Sequence, residues 1–277
     1  MLKTRLIPVL LLKNGVLVRS KSFSLHQSTG NPLEQVKRYT DWKADEIIYL
    51  DITRDSQYNL SSGKSVIGST TSMANIDGTR EDSIIELIKE VSKICFVPIT
   101  IGGKIKTLED IRLRLEAGAD KVSINTIALD NPKFISKAAK EFGSQCIVVS
   151  IDVKRTHKNS FENWMVFKSF GKISTSYDLK SWSQEVENLG AGEILVQSID
   201  NDGKGIGYDI GMINRVVDTV DIPVIALGGV GDFEHFVDGY YNGKASALSA
   251  ANIFHFTELS ILNAKEFLSM KKIDVRL

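Results

Sequence analysis

Three kinds of residue in this sequence could do chemistry, and each falls at the edge of a short apolar run. The first is aspartate. Asp152 closes CIVVSID, Asp51 closes EIIYLD and Asp200 closes EILVQSID. A carboxyl so placed can take or give a proton, and Asp152 is the natural general acid or base, with Asp51 and Asp200 as alternatives. The second is glycine beside small polar residues. Gly103 and Lys104 are grouped with Asn125 and Thr126, and Gly228 and Gly229 with Ala251, Asn252 and Asp202-Gly203. Glycine lets backbone N–H groups approach an anion, and a following helix N-terminus adds a favourable dipole. Both groups read as phosphate seats; the competing reading is that the glycines only make tight turns. The third kind is charge. Arg5, Glu46, Lys121 and Glu193 each stand at the start of an apolar run. Two cations and two anions brought to one end of a fold could close into a ring, which by residue type alone is a stabilising ion-pair cluster.

Other chemistries find little support. His26, His157, His235 and His255 are scattered, with no metal spacing and no Ser/His/Asp pattern, so neither a metal nor acyl transfer is expected. GGVGD (228–232) is not a GxGxxG dinucleotide fingerprint, and no cofactor is implied. The 34 Lys and Arg balance the 34 Asp and Glu, which gives no global attraction to nucleic acid or an anionic membrane. Cys95 and Cys146 form no CxxC and no disulfide framework, which fits a reducing cytoplasm.

The elements that must position these residues alternate along the chain. Eight apolar runs occupy 6–12, 46–51, 97–103, 121–125, 146–152, 193–200, 222–229 and 245–250. They are continuous rather than alternating, as expected of parallel strands covered on both faces. Amphipathic stretches such as DSIIELIKEVSKI and NPKFISKAAKEFG follow them, with Asn31-Pro32 and Asn131-Pro132 as start signals and Gly118, Gly143, Gly190 and Gly243 as stops. Eight strand–helix units in a chain of 277 residues predict a single α/β domain over 1–277, a (β/α)8 TIM barrel, with a doubly wound open sheet as the competitor. The N-terminal run Leu6–Leu12 lacks a following small-residue cleavage site and reads as a buried strand, not a signal peptide. No window reaches the ~18 apolar residues of a membrane-spanning helix.

A weak internal repeat supports closure. IGGKI (101–105) echoes LGGVG (227–231), KVSINT (121–126) echoes LSAANI (248–253), and LLLKN (10–14) echoes IDVKR (151–155). The spacing is wider for the last pair, so the first half carries an extra stretch, placed at 54–80, rich in Ser, Thr, Gly and Asn. A second excursion at 156–177 reads as a β-hairpin turning at Gly171. Barrels do their chemistry at the C-terminal strand ends. That end receives the aspartates and glycine groups, and the four charges fall at the opposite end.

Several segments carry a more specific pattern: DEIIYLDIT (45–53), GADKVSINT (118–126), FGSQCIVVSID (142–152), GAGEILVQSIDNDG (190–203), IFHF (253–256) and the final VRL (275–277). Over essentially its whole length the chain resembles the cyclase subunit of imidazole glycerol phosphate synthase. The resemblance implies a barrel of two half-barrels that docks a separate glutaminase subunit on its N-terminal face as a heterodimer. Ammonia then passes through the core to a ribulosyl bis-phosphate at the top, giving imidazole glycerol phosphate and an aminoimidazole carboxamide ribotide. By position, Arg5, Glu46, Lys121 and Glu193 match the family's gate at the channel mouth. Asn125, Thr126, Asp202, Gly203, Gly228, Gly229 and Ala251 match phosphate positions, and Asp152 matches one of two catalytic aspartates.

The other catalytic aspartate belongs on strand 1, where this chain has Leu11. Leucine cannot transfer a proton, and losing half of an acid–base pair costs roughly 10²–10⁴-fold in rate. Lys104 stands where the family has a third glycine, and Leu227 and Asn252 stand in place of serines. An intact intake below an altered chamber is similar to a branch of the family associated with bacterial surface polysaccharides. There the barrel and its glutaminase feed ammonia to a separate sugar-amidating enzyme. The expected activity is therefore ammonia delivery in the cytoplasm. The alternatives are a working cyclase-lyase of histidine biosynthesis and a sugar-phosphate isomerase.

Overall fold

A computed structural model describes residues 3–53, 80–158, 161–255 and 260–277. Its barrel strands are β1 (Arg5–Lys13), β4 (Ile47–Asp51), β5 (Ile99–Gly102), β6 (Lys121–Ile124), β7 (Ile147–Lys158), β10 (Glu193–Ser198), β11 (Val224–Leu227) and β12 (Ala247–Ala250). Each pairs in parallel with the next, and β12 returns to β1, where Arg5 meets Ala247. The circle is closed, as a (β/α)8 barrel requires, and every apolar run singled out above supplies one of its strands. The inserted segment 54–80 lies outside the described residues except for Arg80, which opens α2.

Period-two alternation explains why these strands are apolar throughout. On β1, Ile7, Val9 and Leu11 point into the barrel and pack with Ile48, Val148, Leu195, Ile225 and Leu227. Leu6, Leu10 and Leu12 point outward into a second core beneath the helices. Both faces are dry, so neither tolerates a polar residue without a partner.

The helices are α1 (Pro32–Asp41), α2 (Arg80–Ile94), α3 (Leu108–Glu116), α4 (Thr126–Asp130), α5 (Lys133–Phe142), α6 (Leu179–Asn188), α7 (Ile210–Val217), α8 (Glu234–Tyr241) and α9 (Ile261–Met270). Local chemistry sets their ends. Asn31 caps α1 through the Leu33 N–H with Pro32 at the first turn, and Thr107 and Asp110 form a capping box on α3. Asn131-Pro132 stands immediately before α5, as expected of a start signal, and it also ends α4, because proline denies α4 its continuation.

Two antiparallel additions sit at the C-terminal end. β2 (Val16–Lys21) and β3 (Leu25–Gly30) form a hairpin on β1, and β8 (Phe161–Lys168) and β9 (Ile173–Asp178) extend from the long β7. The β8–β9 reversal runs through Ser169, Phe170 and Gly171, all with positive φ. The tip of the first hairpin is held by the loop after β10: the Ser22 N–H donates to the Asp202 carbonyl at 3.0 Å.

Candidate functional site

The strand starts bring the four charged residues together. Arg5 Nη1 lies 2.6 Å from Glu46 Oε1 and 2.8 Å from Glu193 Oε1. Lys121 Nζ lies 3.1 Å from Glu46 Oε2 and 3.2 Å from Glu193 Oε1. Each cation therefore bonds both carboxylates, and the four close a ring across the lower mouth of the barrel. Burial works against the Arg5 charge, but Glu193 and Glu46 outweigh it and hold the guanidinium above its ordinary value. Above the ring the interior is the apolar core of Ile7, Val9, Ile48, Val148, Leu195 and Ile225.

At the other end a cavity of about 650 Å³ opens among the strand C-termini. Leu11, Asp51, Gly103, Lys104, Asn125, Thr126 and Asp152 all line it. Leu11, in register with Leu50 on β4, belongs to the barrel interior and forms part of the cavity floor at 7% exposure. Asn125 Nδ2 donates to the Ser150 carbonyl at 3.1 Å, and Thr126 Oγ1 accepts from the Ser169 N–H at 3.2 Å. Gly103 has φ +108°, and a side-chain carbon there would come 2.3 Å from the Asp51 carbonyl oxygen. Lys104 follows at φ +52°, a left-handed conformation that glycine adopts without strain and lysine does not.

Asp152 is the most perturbed carboxyl of this chamber. Burial, reinforced by the nearby charge of Asp202, pushes it up to about 7, against a hydrogen bond from Ser150. A carboxyl that holds its proton near neutrality can donate it to a bound oxygen or nitrogen and take it back. Asp202 is itself raised by burial, opposed by the Phe23 N–H at 3.3 Å and the Ser20 hydroxyl at 3.0 Å.

The second group of sequence-singled residues is placed differently. Among the described residues, Gly203, Gly228, Gly229, Ala251 and Asn252 do not line the cavity. Of these, Gly203 and Asn252 lie against the β2–β3 hairpin, where Asn252 Nδ2 donates to the Ser20 carbonyl at 2.8 Å. Gly229, at φ +105°, is packed so closely that a side-chain carbon would fall 2.0 Å from the Gly207 carbonyl. Here glycine serves a close crossing of two backbone segments. Asn252 Oδ1, however, is buried with no hydrogen-bond partner. Asp200 also stays out of the chamber, accepting the Arg155 N–H at 2.8 Å.

Some cavity residues escaped the sequence reading. Ser150 and Ser123 face the chamber. Ser150 lies two residues before Asp152 and so shares its face of β7, a signal that period-two counting could have used. Asp209 was missed as well. Its carboxylate accepts from Trp164 Nε1 at 2.9 Å, Arg155 Nη2 at 2.8 Å and the Met212 N–H at 3.1 Å, pinning β8 to the start of α7.

Fold and chamber together define a (β/α)8 barrel of the kind that does chemistry at its C-terminal face. A family model described as histidine biosynthesis protein matches residues 69–260. Over 277 residues the chain is 42% identical to imidazole glycerol phosphate synthase subunit HisF of Hydrogenobaculum sp. (strain Y04AAS1), with the whole of both chains covered. The chain belongs to the HisF family, the cyclase subunits of imidazole glycerol phosphate synthase. No helix among the described residues is long and apolar enough to cross a membrane.

Proposed function

We propose that this barrel accepts ammonia from a glutaminase subunit docked on its N-terminal face and passes it upward to a separate acceptor. The acceptor is a cytoplasmic enzyme that amidates a sugar for surface polysaccharide. The Arg5–Glu46–Lys121–Glu193 ring is the gate of this path. Above it the lining is apolar, which admits neutral ammonia and penalises ammonium, whose charge would lose its water. The observation that carries the reading is Leu11 on the floor of a chamber whose other proton-handling group, Asp152, is in place. With one half of the acid–base pair missing, ammonia can arrive but ring closure lacks its second proton transfer.

The test supplies ammonium salt and the ribulosyl bis-phosphate directly and measures imidazole glycerol phosphate. The delivery reading expects turnover at least about 10²-fold below that of a HisF with aspartate on strand 1. Turnover equal to such an enzyme would end it. A second reading, a working cyclase-lyase of histidine biosynthesis, is favoured by Asp51, another carboxyl on the wall of the same cavity, and by the full-length likeness to a synthase subunit.

A further inference from the structure

Three of the four ring residues sit in strands whose ladders fix them. Arg5 pairs with Ala247, Lys121 with Thr100 and Glu193 with Val148. Glu46 lies in the connector between α1 and β4, one residue short of the strand. Its place is set by its neighbour. The Leu6 N–H donates to Asp45 Oδ2 at 2.7 Å, and the Asp45 N–H donates back to the Leu6 carbonyl at 3.3 Å. This bracket joins the residue after Arg5 to the residue before Glu46. Arg5–Glu46, immediately beside it, is the shortest contact of the ring at 2.6 Å.

The bracket in turn hangs on one lysine. Lys265 Nζ on α9 donates to Asp45 Oδ1 at 2.8 Å and to the Lys43 carbonyl at 2.5 Å. The two side chains are 1% and 3% exposed. A buried ion pair is a poor source of net stability, because stripping water from both charges offsets most of their attraction, and an aliphatic side chain would fill the same space without that penalty. What lysine supplies and leucine would not is a fixed orientation for Asp45. We infer that Lys265 is a positioning residue for the ring: through Asp45 it sets Glu46 against Arg5 and so holds the lower mouth closed. The inference rests on the reading of the ring as an ammonia gate.

The test reads ring geometry in the full chain, by nitrogen-15 NMR of the lysine side chains. Lys121→Arg assigns the Lys121 ammonium signal by its loss. In Lys265→Met the Lys121 signal is expected to shift or to broaden away, and the Leu6 amide to exchange about tenfold faster, the scale of one lost hydrogen bond. Lys265→Arg, which keeps the charge, is expected to retain the parent signal. Leu268→Ala removes a fully buried side chain from the same helix and keeps both Lys265 and Asp45, and is expected to leave Lys121 unmoved. A parent-like Lys121 signal in Lys265→Met overturns the inference, as does an equal shift in Leu268→Ala. Lys265→Gln, still able to donate to the Lys43 carbonyl, replaces the methionine variant if that does not fold. Failure of both to fold makes the pair a scaffold and also overturns the inference. The gate reading fails separately, if Glu46→Ala leaves glutamine-driven ammonia transfer unchanged.

Discussion

The two ends of this barrel bury charge in opposite ways. At the lower mouth, charges of alternating sign come from β1, β6, β10 and the start of β4, and each cation touches both anions. Arg5 therefore keeps its charge despite burial. In the upper chamber Asp152 is buried within reach of the charge of Asp202, and it holds its proton to about pH 7. Opposite charges in a ring fix one another in place; burial, helped by a like charge nearby, moves a proton instead. The lower end is thus suited to being a stable barrier and the upper end to proton transfer.

Placing a carboxyl at Leu11, in the cavity that Asp51 and Asp152 already line, is the most severe test of that contrast. Leu11→Asp is expected to raise ammonium-driven formation of imidazole glycerol phosphate by about 10²-fold or more. An unchanged rate would mean that the chamber is disabled elsewhere, with Lys104 the first suspect. Next in size is Lys121→Ala. It leaves Glu46 and Glu193 sharing one cation, and is expected to cost about 1–3 kcal/mol, below the figure for a fully enclosed pair because water reaches the ring. Urea unfolding measures that loss. In the complex, glutamine-driven ammonia transfer is expected to fall while binding of the upper-chamber ligand is unchanged. Equal losses at both ends would erase the distinction between intake and chamber.

A third test uses pH. The native carboxyl of Asp152 titrates near 7 and an unfolded one near 4. Between those values the unfolded state releases its proton first, so the contribution of Asp152 to stability is fully present below about pH 4 and is lost as pH rises toward 7. The total is roughly 3–4 kcal/mol, flat above pH 7. Asp152→Asn removes this term. It is expected to be more stable than the parent at pH 8 and to differ little at pH 4, with some slope remaining from Asp202. A variant that gains nothing at pH 8 would mean that Asp152 is solvated and that the chamber is no better at shifting protons than the ring.

The same contrast separates what the sequence made legible from what it hid. Strand-terminal residues were readable because a parallel strand announces itself as an apolar run, and the ring and Asp152 simply bound those runs. The β2–β3 hairpin was hidden because its reversal uses Ser22 and Phe23 at positive φ, with no glycine or Asn-Gly pair to announce it. The second glycine group looked like the first in sequence, and the close crossing of Gly229 with Gly207 is one that only the assembled loops create. Lys265 and Asp45 stand far apart in the chain, and a lysine on an amphipathic helix ordinarily faces water. Its burial follows from where α9 lands on the barrel, which no local pattern states.

The smallest expected effect concerns Lys104, which shares a left-handed backbone with Phe23, Ser169 and Phe170 on the chamber wall. Lys104→Gly removes strain of about 1 kcal/mol. Part of that gain is returned because glycine loosens the unfolded chain, so a net stabilisation of about 0.5 kcal/mol is expected in urea melts. Binding of inorganic phosphate to the same variant, measured by calorimetry, decides what the strain is for. The side chain lines the cavity with Asn125 and Thr126, and a lysine beside a phosphate adds a charge-assisted hydrogen bond that glycine lacks. A drop in affinity of about three- to tenfold is therefore expected. Tighter binding in the glycine variant would make Lys104 a plug that narrows the upper chamber by bulk.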